Sequence, residues 1–126
     1  MIMMFSNKDM FNYISNISES LMHKATGKVA YALSYNIRQI QSELVEYLEI
    51  RAQIINKYSE DLGDGQFGIS IKSEKYNQFL DEMKDYDNII HPVKIVTINP
   101  EDIYNTDLNA EDMMAIQFMI GEEVNE

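Results

Sequence analysis

Residues 28–59 read KVAYALSYNIRQIQSELVEYLEIRAQIINKYS, and this stretch decides the fold. Val29, Leu33, Ile37, Ile40, Leu44, Tyr47 and Leu48 recur at helical spacing, and the pattern resumes at Ile54 and Ile55 after Arg51. No Gly or Pro interrupts it. The spacing predicts one helix over 28–59, about 45 Å long at 1.5 Å per residue. A helix of that length overhangs a small globule or packs on more than one partner. Its apolar face widens around Leu44, Val45, Tyr47, Leu48 and Ile50. Either these residues serve two faces of one core, or Leu44, Val45, Leu48 and Ile50 form an oligomer or partner interface.

Upstream, Ser6 or Asn7 is placed to cap a helix, with Asp9 in its first turn. Met10, Ile14, Ile17 and Leu21 follow at helical spacing, and Ala25-Thr26-Gly27 breaks the pattern. Residues 1–59 are therefore expected to form a helical hairpin. Met1 to Phe5 is apolar over too short a run, with no basic residues before it, to read as a signal peptide. No run approaches the roughly 18 apolar residues that mark a membrane span.

Downstream, Asp61-Leu62-Gly63-Asp64-Gly65 is a turn segment. Gln66 to Ile71 predicts a short strand with Phe67, Ile69 and Ile71 on one face. Ser73 is the expected cap of a third helix reaching about residue 88, with Tyr76, Phe79, Leu80 and Met83 as its stripe. Residues 89–98 are β-rich, and Pro92 suits an edge strand or a strand start. Strands 66–71 and 93–98 are expected to pair. Asn99-Pro100-Glu101-Asp102 opens a short helix, and Asn109 caps a last one over Ala110 to Ile120, ended by Gly121. The expected class is α+β, mainly helical, in a single domain of 126 residues: a hairpin over 1–59 and an α+β half over 60–126.

The formal net charge is -11, and it is unevenly placed. Residues 1–59 carry six bases and five acids, whereas residues 60–126 carry four bases and sixteen acids. Beyond Lys94 there is no Lys or Arg. Two groups stand out among them: Asp81, Glu82, Asp85 and Asp87, then Glu101, Asp102, Asp107, Glu111, Asp112, Glu122, Glu123 and Glu126. Acids at 101, 102, 111 and 112 have a local reason, since helix N-termini favour negative charge. A solvated, solubilising face explains any one of the others. The whole set repels itself, and a basic partner surface would relieve that cost and speed association. Direct binding to nucleic acid or anionic lipid is not expected, because phosphates demand clustered Lys and Arg.

With no cysteine, disulfides, Cys-ligated metals and thiol nucleophiles are excluded. The only histidines, His23 and His91, lack a surrounding nucleophile elbow or metal motif and are expected to be structural. Asp61 to Gln66 superficially suggests a calcium loop, but the third and fifth positions lack oxygen ligands and the sixth is Gln66 where Gly is required. Asp81 and Asp85, one turn apart, are a weak cation pair. No Gly-rich phosphate loop is present. No catalytic residue, cofactor or metal is expected.

The long helix A-x-x-L-x-x-N-I-x-x-I-x-x-E-L in loose form over Ala30 to Leu44 is followed by a Gly-rich turn after K-Y-S-E. Then come Y-N-Q-F-L-D-E-M, I-V-T-I and a closing L-N-A-E-D-M-M-A-I-Q-F-M-I. Over residues 28–120 this order resembles a family of small uncharacterised phage and prophage proteins of Gram-positive bacteria. The resemblance implies viral origin and carries no residue role. Together with the charge it leads to one expectation: a non-catalytic protein in the host bacterial cytoplasm that occupies a basic surface of a host protein. Its most concrete form is an inhibitor of an antiviral nuclease acting by nucleic-acid mimicry. The alternatives are a virion assembly protein forming a homodimer or larger oligomer through the long helix and, less favoured, an enzyme.

Overall fold

The structure, a computed structural model, describes residues 1–121. Strand β1 spans Ile2–Ser6, helix α1 Asn7–Asn16, α2 Glu19–Lys24 and α3 Gly27–Tyr58. Strands β2, Glu60–Gly63, and β3, Gln66–Gly68, lead into α4, Glu74–Asp87. Strand β4, Ile90–Lys94, and the short helices α5, Pro100–Ile103, and α6, Ala110–Ala115, complete the chain, with a 3-10 turn over Gln117–Met119. The mainly helical α+β class is as the periodicity predicts.

Helix α3 is the axis. Its buried residues are Val29, Ala32, Leu33, Asn36, Ile40, Leu44, Tyr47 and Ile54, a single stripe at steps of three and four. Arg51 occupies the stripe where an apolar side chain would stand. Its guanidinium lies 4.6 Å from the Phe11 ring centre and 5.8 Å from that of Phe79, so its charge rests on aromatic faces. The widened face does not form a second core face: Val45 and Leu48 are exposed and Ile50 is half-buried.

The hairpin's first arm is two helices. The Ser18 hydroxyl accepts from Leu21 N–H at 3.0 Å and starts α2 afresh, which stops the run the apolar spacing extends to residue 24. Ser6, Ser73, Asn99 and Asn109 also cap, and Asn109 and Asp112 bond each other's backbone as a capping box.

The expected pairing of 66–71 with 93–98 does not occur. Strand β3 instead folds back on β2 through Asp64 (φ 52°) and Gly65 (φ 77°), the two positive dihedrals of a tight hairpin turn. Closing so short a loop loses little entropy, so the local partner wins. Phe67 and Ile71 end up exposed. Strand β4 pairs antiparallel with β1, Ile2 opposite Lys94 and Ser6 opposite Ile90. The five-residue apolar start is thus a strand, and Pro92 is tolerated opposite Met4 because a two-stranded sheet leaves both outer edges unpaired. Helix α6 stops at Ala115, short of Ile120, and Ile120 bridges to Ile98.

One buried cluster draws on both halves of the chain, from Met10, Leu21, Leu33, Ile40 and Leu44 to Ile95, Ile116 and Met119. Phe5, Tyr13 and Phe118 add an aromatic join, with Tyr13 and Phe118 stacked at 4.0 Å. Asn36, fully buried, completes the attachment. Its amide donates to Val96 O at 2.8 Å and accepts from Val96 N–H at 2.8 Å. A side chain on α3 thereby takes the place of a neighbouring strand for the segment after β4.

Candidate functional site

The acids of the C-terminal half divide into those with internal partners and those without. On α4, Glu82 accepts from Lys57 Nζ and, at 2.8 Å, from Tyr58 Oη, which ties α4 to the end of α3. Both bonds hold the Glu82 carboxyl below its ordinary range, Lys57 first. Asp87 accepts from Tyr47 Oη at 2.6 Å. Burial, then the bond to Asp87, pushes the Tyr47 hydroxyl well above the usual tyrosine range. Asp112 is buried and accepts from Lys24 Nζ at 2.7 Å and from Asn109 N–H at 3.1 Å. The Lys24 bond is the main cause that lowers its carboxyl, followed by the bond from Asn109. These three acids hold the fold together. Glu82 and Asp87 commit one carboxylate oxygen each, Oε1 and Oδ1, and Asp112 commits Oδ2.

The others are free of such ties. Asp85, Glu101, Asp107 and Glu111 are exposed, and Asp81 has only a loose 3.5 Å pair with Lys84. Asp102 is half-buried beside Lys28 and Tyr31. Glu122 and Glu123 lie outside the described residues. The acids do not form one patch. Glu82 meets Lys57 at the end of α3, whereas Asp102 shares a cleft with Lys28 at its start, about 40 Å away along the helix axis.

Of the expected oligomer residues, Leu44 is buried in the core and unavailable to a second copy. Ile50 is half-buried on the wall of a cleft. Val45 and Leu48 remain outward, 58% and 42% exposed.

A further cleft, mostly apolar in its lining, has its acids in the near-neutral half of the chain. It has a volume of about 260 Å³ and lies between α3, the end of α4 and the start of α1. Glu43, Glu46, Asn7 and His91 line it. His91 Nδ1 is 3.2 Å from Glu43 Oε2. The spacing of Glu43 and Glu46 on one helix was legible. Their meeting with Asn7 and His91 depends on the β1–β4 pairing and was not.

Among the described residues no three His, Asp or Glu side chains converge as a metal site. No helix among them is long and apolar enough to cross a membrane. No family model, curated protein or solved structure matches this chain.

Proposed function

We propose that this protein is a non-catalytic binder of a basic protein surface. The observation that supports this reading is the set of carboxylates without internal cationic cover: Asp85, Glu101, Asp107 and Glu111, with Asp81 only loosely paired. They sit on α4 and around α5 and α6, and uncovered carboxylates are the charge that a basic groove built for a phosphate backbone attracts. The phage resemblance supplies the setting: the partner is a host protein whose groove binds nucleic acid, and the activity is inhibition of an antiviral nuclease. The enzyme alternative is the less favoured: His91 Nε2, the far end of the His91–Glu43 pair, has no hydrogen-bonded nucleophile among the described residues.

The test is capture of partners from a bacterial lysate, followed by affinity measured against salt. Binding is expected to weaken at least about tenfold between roughly 0.05 and 0.5 M salt, as screening shortens the reach of the charges. Salt-independent affinity overturns the charge-based reading. The outward Val45 and Leu48 favour a second reading, an assembly protein that joins copies through α3. A stable oligomer in solution that dissociates on neutral polar substitution of both residues supports it.

A further inference from the structure

Helix α6 and the turn after it leave a groove that the core does not fill. Met113, Met114, Gln117 and Ile120 line it, and its volume is about 410 Å³. Met114 is 75% exposed and Met113 37%, whereas Met119 of the following turn is fully buried. The chain thus turns one methionine into the core and holds two at the surface, where a long unbranched thioether can fit apolar partners of different shapes. Glu111 stands three residues before Met114 on α6, so the two side chains are neighbours on one face. Glu111 is exposed, and so is Asp107 just ahead of the helix. Lys24, the base that reaches α6, is bonded to Asp112, and Lys28 lines a different cleft together with Asp102. The groove is therefore apolar, with uncovered negative charge beside it.

We propose that this groove receives the apolar stripe of a basic amphipathic helix on the partner protein. Two features select that occupant. The backbone beside the groove is engaged within the fold: Ile120 N–H donates to Gln117 O, Gly121 N–H to Ile98 O, and Met119 O accepts from Ile98 N–H. What the groove offers is side chains, so an extended segment would lay its own unpaired backbone groups on methionine. A helix arrives with those groups paired and sets apolar side chains at every third and fourth residue into the groove. The second feature is charge. Lys and Arg flanking the stripe would meet Glu111 and Asp107, whereas an acidic helix would be repelled. The owner of the helix rests on the reading above, that this protein binds basic surfaces; the preference of the groove for a basic amphipathic helix does not.

The experiment is an NMR titration of the whole protein, labelled at its methionine methyl groups, with a synthetic helix of about four turns that carries leucine on one face and lysine on the rest. Saturable shifts are expected at the Met113 and Met114 methyls, with a dissociation constant on the order of 10 µM at low salt. It should rise at least about tenfold between roughly 0.05 and 0.5 M salt. Met4, exposed on β1, is expected not to move. Met114→Gln and Glu111→Gln, both at exposed positions, are each expected to weaken binding about threefold to tenfold, and Met4→Gln to change nothing. The same helix with glutamate in place of lysine is expected not to bind. A scrambled sequence of the same composition, which has no leucine face, should bind at least about tenfold more weakly. Equal shifts at Met4, binding of the glutamate helix, or no saturable shift at Met113 and Met114 overturns the proposal. Shifts at those methyls that grow with the concentration of the protein alone give the groove to a second copy and overturn it too. The binder reading fails separately, if no basic protein is captured or if its binding ignores salt. A captured basic partner that binds Met114→Gln as tightly as the parent overturns the groove as its docking site while leaving that reading standing.

Discussion

Replacement of Asn36 by leucine tests the least obvious link between the two halves. Leucine has the branched heavy-atom skeleton of asparagine but is bulkier, so it opens no cavity, and its extra volume at this fully buried position works in the same destabilising direction. What is lost is the pair of 2.8 Å bonds to Val96 and a 3.3 Å contact from the Asn36 amide to Met119 Sδ. The Val96 N–H and C=O are each left without a partner at a half-buried site, at about 1–3 kcal/mol apiece. The new apolar side chain returns about 1.5–3 kcal/mol of burial. The net expectation is a destabilisation of about 1–3 kcal/mol. With about 2.1 cal/mol/K per residue of unfolding entropy, that lowers Tm by about 4–12 °C for a chain of 126 residues. Urea unfolding should show a lower midpoint with an unchanged slope. Amide exchange gives the local readout. Val96 N–H should be protected in the parent and fast in the variant, while Ile95 N–H, which donates to Met1 O at 2.9 Å, keeps its protection. A variant as stable as the parent, or a Val96 amide that exchanges freely in the parent, refutes the reasoning.

Two further outcomes follow from the same geometry. Asp112 is held below its unfolded pKa, chiefly by Lys24, so its ionised form adds stability above that unfolded value and the contribution fades as pH falls through the folded one. Asp112→Asn should therefore lower Tm at neutral pH, with the gap to the parent narrowing below about pH 4, and a gap constant down to about pH 2 contradicts it. Val45→Gln with Leu48→Gln should leave monomer stability within about 0.5 kcal/mol because both side chains face outward, and denaturation showing a loss beyond about 2 kcal/mol would mean that the face is covered within the fold.

How far the residues alone foretell this fold depends on range in sequence. Helix α3, the Asp64-Gly65 turn and the caps at Ser73, Asn99 and Asn109 rest on interactions within a few residues, and each stands where periodicity and capping chemistry place it. Long-range pairing was not legible. Strand β1 finds β4 some ninety residues on, and nothing in five apolar residues names that partner. Asn36 carries no signal in the sequence, because a buried amide within an apolar stripe has meaning only once Val96 lies beside it. The cleft beside α3 shares that origin, since β1–β4 pairing is what carries His91 toward Glu43.

Charge illustrates the same limit. Counted along the chain, the second half looks heavily self-repelling. In space, Lys24 and Lys57 of the first half cross over to Asp112 and Glu82, and Tyr47 covers Asp87. The strain that would demand a basic partner is smaller than the count suggests, and the carboxylates best placed to attract one are those the fold has left alone. Any neutralisation experiment should separate the two sets: Asp112, Glu82 and Asp87 report on folding, whereas Asp85, Glu101, Asp107 and Glu111 test the proposed recognition. Substituting all acids of the C-terminal half together would confuse an unfolded protein with one that no longer binds.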